Sequence, residues 1–426
     1  MTPFSSEPPY ALTAAAAPAT ERLAGTREVD MLLVGGGYGG LLTAIELAEA
    51  GARVAVIEAR GIGAGGSGRN HGQCIPVFRY LDPALLPKKG VHLLAEAGAR
   101  VFNRIARHDL HCEAIQKGTL SAAYNDRTLA ATRAAQAKYA GYGKTDRYLD
   151  AGEIAELTGT RAFLGGWVHR EGGHINPLGY ARELARLALS LGVEIFTDSP
   201  MTGFSRSGGR WCVGTPEGEI RAKAVGLTTD AYSTAAVPGA VKQGFFPLTS
   251  YAVASRPLTA EERAGVMPSG MNFGDTHHDP MFFRIDASGR IITGGLQEPG
   301  RGRRFDYTAA FMTRRLARIW PVLAGLDWEF MWTGTVSMAL DQTPSIQRLD
   351  DGLWSLSGWS GRGVPTSAAL SVAFARTLED PAAGLDWWPQ RQPPRVIAGA
   401  LLGRLVQLCR GPFNQLRDRL EAEPRA

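Results

Sequence analysis

The stretch VDMLLVGGGYGGLLTAIELAEAGARVAVIEA, residues 29–59, decides the fold. VDMLLV (29–34) is a short apolar run of strand type. GGGYGG (35–40) follows, and LLTAIELAEAG then carries apolar residues at helical spacing before closing on Gly51. RVAVIE (53–58) reads as a second buried strand, so the whole is a βαβ unit with Gly35-x-Gly37-x-x-Gly40 at its first turn. Each part has a physical task. Gly35 permits the tight turn, Gly37 lets the backbone approach a pyrophosphate, and Gly40 lets helix and strand pack closely. The helix N-terminus offers N–H groups and a partial positive charge to phosphates. Glu58, 21 positions after Gly37, is placed to accept hydrogen bonds from an adenosine ribose. An acid there argues against the extra phosphate of NADP.

A glycine-rich loop comes next, GIGAGGSGRNHGQCIPVF at 61–78, too rich in glycine for a regular helix or strand. Read together, VGGGYGGLLTAIELAEAGARVAVIEA and GIGAGGSGRNHGQ resemble the D-amino-acid-oxidase-type (DAO) family of FAD-dependent oxidoreductases. Its members include D-amino acid dehydrogenases, glycine and sarcosine oxidases and γ-glutamylputrescine oxidases. GGHINPLGYARELARLALSLGVEIF (172–196), VGLTTDAYS (225–233), WTGTVSMALDQTPSI (332–346) and LWSLSGWSGRGVPTSAALSVAFA (353–375) resemble further blocks of that family in the same order. The resemblance spans about residues 28–380. It implies FAD contacts from Gly35, Gly37, Tyr38, Gly39 and Gly40 at the first turn, and from Glu58, Ala59 and Arg60 after the second strand. It implies others from Gly66, Ser67, Gly68, Arg69, Asn70, His71, Gly72 and Gln73 along the loop. Gly334, Gly358, Gly361, Arg362, Gly363 and Val364 would complete the set. The last block also has its own physical sense. A strand at 353–357 runs into the turn GWSGRG, and a helix beginning near Val364 can point its N-terminus at the electron-rich pyrimidine edge of a flavin.

Composition sets bounds. The chain has 426 residues, 44% of them hydrophobic, a net charge of +5 and a pI near 9.1. It is long enough for two or three domains. No block of like charge stands out, which argues against a nucleic-acid surface. Cys74, Cys112, Cys212 and Cys409 form no CxxC pair and suggest neither a disulfide framework nor zinc. The expected location is therefore cytoplasmic, with peripheral membrane association left open. Residues 1–27 lack the pattern of a signal peptide and read as a disordered extension. No run of about 18 uncharged apolar residues is long enough to span a membrane.

The expected architecture is α/β: a Rossmann-like FAD-binding domain of glutathione-reductase type, interleaved with an antiparallel-sheet α+β substrate domain. The FAD part collects 28–80, 150–235 and 330–380, as a parallel sheet with helices on both sides. The substrate part uses 81–149 and 236–329, with strand-like runs at 245–255, 281–286 and 290–295. Residues 303–326 read as one or two helices. The segment 381–426 is a helical tail whose basic amphipathic part (390–426) breaks at Gly411-Pro412, and it is expected to pack on its own domain.

The activity the resemblance implies is oxidation of a C–N bond in an amine or amino acid. Hydride passes from the carbon beside nitrogen to flavin N5, and the resulting imine hydrolyses. The electrons then go to oxygen or to a quinone or other carrier, and an oligomer is left open. Such a reaction needs a dry, aromatic-lined pocket and positioning groups. His71, Arg284 and Trp332 are the candidates for catalysis, and FAD is expected to be held non-covalently. His71 faces the flavin or the substrate. In family members that act on amino acids, an arginine soon after the Trp-x-Gly grips the substrate carboxylate. Here Trp332-Thr333-Gly334 is followed by Thr335, Val336 and Ser337, which brings the chain nearer the γ-glutamylputrescine oxidase type. Arg284 is either a substitute anchor or a strand arginine paired with a surface carboxylate. Strand alternation predicts that one of Phe245 and Phe246, and one of Phe282 and Phe283, faces the flavin. Cys74 reads as a small buried cysteine, and His277-His278 lies in a loop with no metal-binding pattern. Two alternatives use the same fold: a flavin enzyme for a 2-hydroxy acid, and a non-catalytic flavin-binding subunit.

Overall fold

The computed structural model describes residues 4–77, 83–142, 144 and 146–421. The ends of the expected segments at 1–3, 78–82 and 422–426 lie outside the described residues.

The opening βαβ unit forms as its pattern predicts. Strand Met31–Val34 enters the glycine turn, helix Tyr38–Glu49 follows, and strand Val54–Ile57 pairs parallel to the first, Met31 opposite Val54. These strands sit in a six-stranded sheet. Its order is 345–350, 353–357, 224–227, 31–34, 54–57, 194–196, parallel except for the antiparallel edge pair 345–350/353–357. The side-chain period of two sorts the central strands between two cores. Leu33, Val54 and Val56 pack against the helices Tyr38–Glu49, Pro177–Ser190 and Gly363–Glu379. Leu32, Val34, Ala55 and Ile57 face the other way, onto Trp211, Val213 and Ile220. That second cover is a four-stranded sheet (25–28, 218–222, 210–214, 203–207), so the expectation of helices on both faces is corrected. Short alternating strands bury one apolar side each and serve as well as a helix.

The second body is an eight-stranded sheet ordered 328–338, 246–257, 290–296, 282–285, 272–275, 119–123, 165–169, 147–149. Only the pair 272–275/119–123 is parallel. The runs expected as strands at 245–255, 281–286 and 290–295 are all in it. Two boundaries move. Strand Gly165–His169 and residues 330–338, assigned from sequence to the FAD part, hydrogen-bond into this sheet instead, the first beside 119–123 and 147–149 and the second beside 246–257. The helix Phe305–Ile319 and the short turn Pro321–Leu323 account for 303–326, and Met312, Leu316 and Trp320 pack on Phe273 and Phe283.

Both chain ends differ from expectation. Residues 4–27 are packed on the protein: Pro9–Leu12 is a helical turn, Tyr10 is 2% exposed, and Gly25–Glu28 pairs with 218–221. The prolines at 8 and 9 and the apolar anchors Tyr10 and Leu23 make that docking favourable. The tail forms one continuous helix, Gly399–Glu421, through Pro412, which lies on its exposed side. Its inner face rests on strand Phe246–Pro257. No helix among the described residues is long and apolar enough to cross a membrane.

Candidate active site

One continuous cavity of about 1420 Å³ runs from the glycine turn to the second sheet. Two helix N-termini border it. Helix Tyr38–Glu49 starts at Gly37, and helix Gly363–Glu379 at Arg362, each with no side-chain cap and no acid in its first turn. Uncapped helix starts present N–H groups and a partial positive charge, the environment a phosphate or an electron-rich ring edge needs. Glu58 lines the same cavity with a fixed carboxylate: Oε2 accepts from the Gly36 N–H at 2.7 Å and Oε1 from the Arg60 N–H at 2.9 Å. Gly40 is a packing glycine, because a Cβ there would lie 1.9 Å from the Gly35 carbonyl oxygen.

The loop 61–77 is held by its own side chains and by three distant ones. Asn70 Nδ2 donates to the Gly66 and Ser67 carbonyls at 3.1 and 2.8 Å, and its Oδ1 accepts from the Gly72 N–H at 2.7 Å. Gln73 reaches the second sheet at the Phe273 and Phe283 carbonyls. Three consecutive loop carbonyls are then taken by buried donors. Trp332 Nε1 donates to Arg69 O at 2.9 Å, Tyr10 Oη to Asn70 O at 2.6 Å, and Arg284 Nε to His71 O at 2.6 Å. Tyr10 stacks edge-on to Trp332 at 5.4 Å, with the Arg284 guanidinium 5.7 Å above its ring. The three donors come from residues 10, 284 and 332 and meet only in the folded chain.

Most of the predicted cofactor residues line the cavity: Gly35, Gly37, Tyr38, Gly39, Glu58, Ala59, Arg60, Gly66, Ser67, Arg69, Asn70, His71, Gln73, Gly334, Gly361, Arg362, Gly363 and Val364. Gly40, Gly68, Gly72 and Gly358 do not. They serve close backbone approaches or, at Gly358, a turn whose N–H donates to Asp230 Oδ1 at 2.8 Å. Several lining side chains brace protein rather than offer free groups. Arg69 Nε donates to Thr333 O at 2.8 Å, and Arg362 Nη2 to Gln342 O at 2.7 Å.

The catalytic candidates separate. His71 lines the cavity edge-on to Phe282 at 4.9 Å. Its Nε2 is buried with no hydrogen-bond partner among the described residues. Burial lowers its pKa to about 4, and the Arg284 charge adds to the fall, so the imidazole is neutral at ordinary pH. Arg284 is corrected as a substrate anchor. It is 1% exposed, does not line the cavity, and lies beneath the His71–Gly72 backbone. Alternation places it on the same strand face as Phe282, but two residues on, where the loop covers it. Trp332 borders the cavity, yet its indole N–H is committed to the loop. Phe282 faces the cavity and Phe283 the core, as alternation requires. Neither Phe245 nor Phe246 lines it; Leu248, Ser250 and Ala252 do so from that strand. Cys74 is fully buried and its thiol is pushed up by burial.

Other lining residues escaped the sequence reading. Thr228, Asp230, Tyr232 and Tyr251 belong to the cavity, with the Asp230 carboxyl raised by burial. The far wall is built from Asp279, Arg315 and the inner face of the C-terminal helix, through Gln407, Arg410, Asn414 and Gln415. That helix is tied to the loop at 275–281: Asp418 accepts from the His278 and Asp279 N–H groups at 2.7 and 3.0 Å, and Asn414 donates to His278 O at 2.6 Å. His277 stacks on Tyr124 at 3.7 Å and pairs with Asp275, while His278 meets Glu421 at 3.0 Å. Among the described residues no three His, Cys, Asp or Glu side chains converge as a metal site. The tail's basic, amphipathic pattern was visible in sequence, but its place on the cavity was not.

Comparison with known proteins agrees with this geometry. The family model described as "FAD dependent oxidoreductase" (DAO) matches residues 30–377. Gamma-glutamylputrescine oxidoreductase of Escherichia coli K12 is 27% identical over 399 residues, covering 92% of this chain and 93% of that protein. A probable oxidoreductase, OrdL, of Haemophilus influenzae is 26% identical over 391 residues, covering 88% and 89%. Among solved structures, the L-amino acid deaminase of Proteus myxofaciens in complex with anthranilate superposes with a TM-score of 0.72 at 17% identity, covering 86% of this chain and 93% of that one. The chain belongs to the DAO family of FAD-dependent oxidoreductases.

Proposed function

We propose that this flavoenzyme oxidises the C–N bond of an elongated amine or amino acid whose far end is polar, giving an imine that water hydrolyses. The observation that carries the reading is the single cavity that joins the dinucleotide cradle to a polar far wall. The Gly35–Gly40 turn and the start of helix Tyr38–Glu49 would hold the pyrophosphate. Glu58 would take the adenosine ribose, the 64–73 loop would run along the cofactor, and the start of helix Gly363–Glu379 would meet the pyrimidine edge. FAD, when bound there without a covalent link, supplies the two-electron oxidant.

The chain's own residues do the rest. His71, neutral beside the loop, adds no positive charge where an amine must arrive, and with Phe282 and Tyr251 it gives that region an apolar, water-poor lining. No arginine follows Trp332-Thr333-Gly334, and Arg284 lies under the loop, so neither supplies a grip on a carboxylate beside the reacting carbon. At the far wall Asp279 and Arg315 pair with each other at 3.3 Å and Gln407 is tied to the Thr249 and Gln297 carbonyls, and with Arg410 they form a polar lining that suits a charged or zwitterionic distal group. The relative named for γ-glutamylputrescine fits that shape. The four unpaired cysteines suit a cytoplasmic location. The electrons leave to oxygen or to a quinone or carrier.

The test is anaerobic mixing of the flavin-loaded protein with amine classes. Bleaching of the flavin by γ-glutamyl-polyamines or long amines, and not by short D-amino acids, supports the reading. Bleaching by 2-hydroxy acids alone, or by nothing, overturns it. Recovery of colour in air separates oxygen from a carrier as acceptor.

A further inference from the structure

We propose that the C-terminal helix docks this protein onto an anionic lipid surface through a bare apolar face. Leu401, Leu405, Leu408, Phe413, Leu416 and Leu420 are each at least 50% exposed. On a helix of 3.6 residues per turn they fall within an arc of about 140°, along a helix about 34 Å long. Ile397, just before the helix, is 84% exposed. The opposite face is occupied: it rests on strand Phe246–Pro257, lines the cavity, and is tied to the 275–281 loop by Asn414 and Asp418. The apolar face is therefore presented by a rigidly held helix, and it is far larger than scattered surface leucines require.

Charge selects the occupant. From residue 387 to residue 417 the chain contains Arg391, Arg395, Arg404, Arg410 and Arg417 and no Asp or Glu. These five equal the net charge of the entire chain, +5, so the remainder is balanced. Arg391 pairs with Asp341 at 2.6 Å, Arg417 lies 3.7 Å from Glu421 and Arg410 borders the cavity, whereas Arg395 and Arg404 are exposed. The helix's acids near its end turn inward, Asp418 to the loop backbone and Glu421 to His278. A second copy meeting this face through the same helix would set arginines against arginines. A layer of anionic headgroups neutralises them while the leucines enter the acyl boundary, which is the chemistry of an interfacial amphipathic helix. Docked in this way, the helix that walls the cavity lies at the bilayer surface.

The full-length, flavin-loaded protein is sedimented with vesicles of phosphatidylglycerol mixed with phosphatidylcholine, and with phosphatidylcholine alone. Binding to the anionic vesicles only, weakening at high salt, is the expected result. Arg404→Glu changes the charge by two and lowers the partition roughly 30-fold, and Leu405→Glu with Leu416→Glu lowers it by more than that. Cys409 is the exposed one of four free cysteines and lies on this face, so an environment-sensitive dye attached there shifts to the blue on binding. Flavin content reports whether each variant stays folded. If the leucine pair fails that check, Arg404→Glu and the dye carry the test. No binding to anionic vesicles, binding indifferent to Arg404→Glu, or an unshifted dye overturns the proposal. So does a dimer in light scattering that the leucine pair converts to a monomer, which would assign the face to a second copy.

Discussion

Replacing Tyr10 with phenylalanine removes one oxygen atom from a segment about sixty residues away from the loop it steadies. The hydroxyl donates to the Asn70 carbonyl at 2.6 Å in a buried setting. The ring keeps its edge-on contact with Trp332 and its place under Arg284. The variant therefore isolates the hydrogen bond. A buried carbonyl left without a donor costs about 1–3 kcal/mol. In the cofactor-free protein the loop can relax until water meets that carbonyl. With FAD against the loop it cannot, so the cost falls on the bound state. Since about 1.4 kcal/mol is a factor of ten, the FAD dissociation constant rises by roughly 5- to 150-fold. Tyr10→Ala also deletes the ring, adding about 3–5 kcal/mol of lost packing, and gives protein that is purified largely without flavin. Titration of the stripped protein with FAD, followed by quenching of flavin fluorescence, measures the constant directly. An unchanged affinity in Tyr10→Phe, within twofold, would refute the reasoning and reduce the N-terminal segment to a surface strap.

Gly40→Ala places a methyl 1.9 Å from the Gly35 carbonyl oxygen, so the helix must move off the turn, and the variant is expected to bind no FAD in the same titration. Glu58→Ala frees the Gly36 and Arg60 N–H groups and removes the ribose acceptor; FAD affinity falls by about 10- to 100-fold, with thermal stability of the stripped protein little changed. His71 has a folded pKa of about 4 against an ordinary 6.5, so the unfolded chain takes up its proton first. Its neutral burial therefore favours the fold fully above about pH 6.5, and that contribution declines as pH falls toward about 4. His71→Leu should lose less thermal stability than the parent between about pH 7.5 and about pH 5. The parent's rate of flavin reduction by substrate should show no break near pH 6.5 arising from this residue.

The βαβ cradle was legible because its signals are local. Strand, glycines, helix and acid follow one another within about thirty residues, and the chemistry of each is set by its neighbours in sequence. The same holds for the strand–turn–helix at 353–379 and for the alternation that sends one of Phe282 and Phe283 to the cavity and the other to the core, although only the structure shows that it is Phe282 that faces the cavity. Arg284 shows where local reasoning ends. Nothing within its strand says that the backbone of residues 71–72 will cover it. Residues 330–338 read as part of the FAD domain, and only the register of strand Trp328–Met338 with Phe246–Pro257 assigns them to the second sheet. The N-terminal segment has the composition of a disordered arm, yet a tyrosine and two prolines dock it because Trp332 and the Asn70 carbonyl wait at the other end. The tail shows the same limit: its apolar and basic residues were plain, but which face would wall the cavity and which would be left bare depended on the sheet beneath it. Sequence by itself determined the cofactor cradle, which rests on short-range patterns of conformation and charge, and pointed to the reaction class through the resemblance of its ordered motifs to the DAO family. The tertiary structure decided which side chains reach the cavity and which hold the loop in place, since those depend on segments hundreds of residues apart meeting in one packed interior.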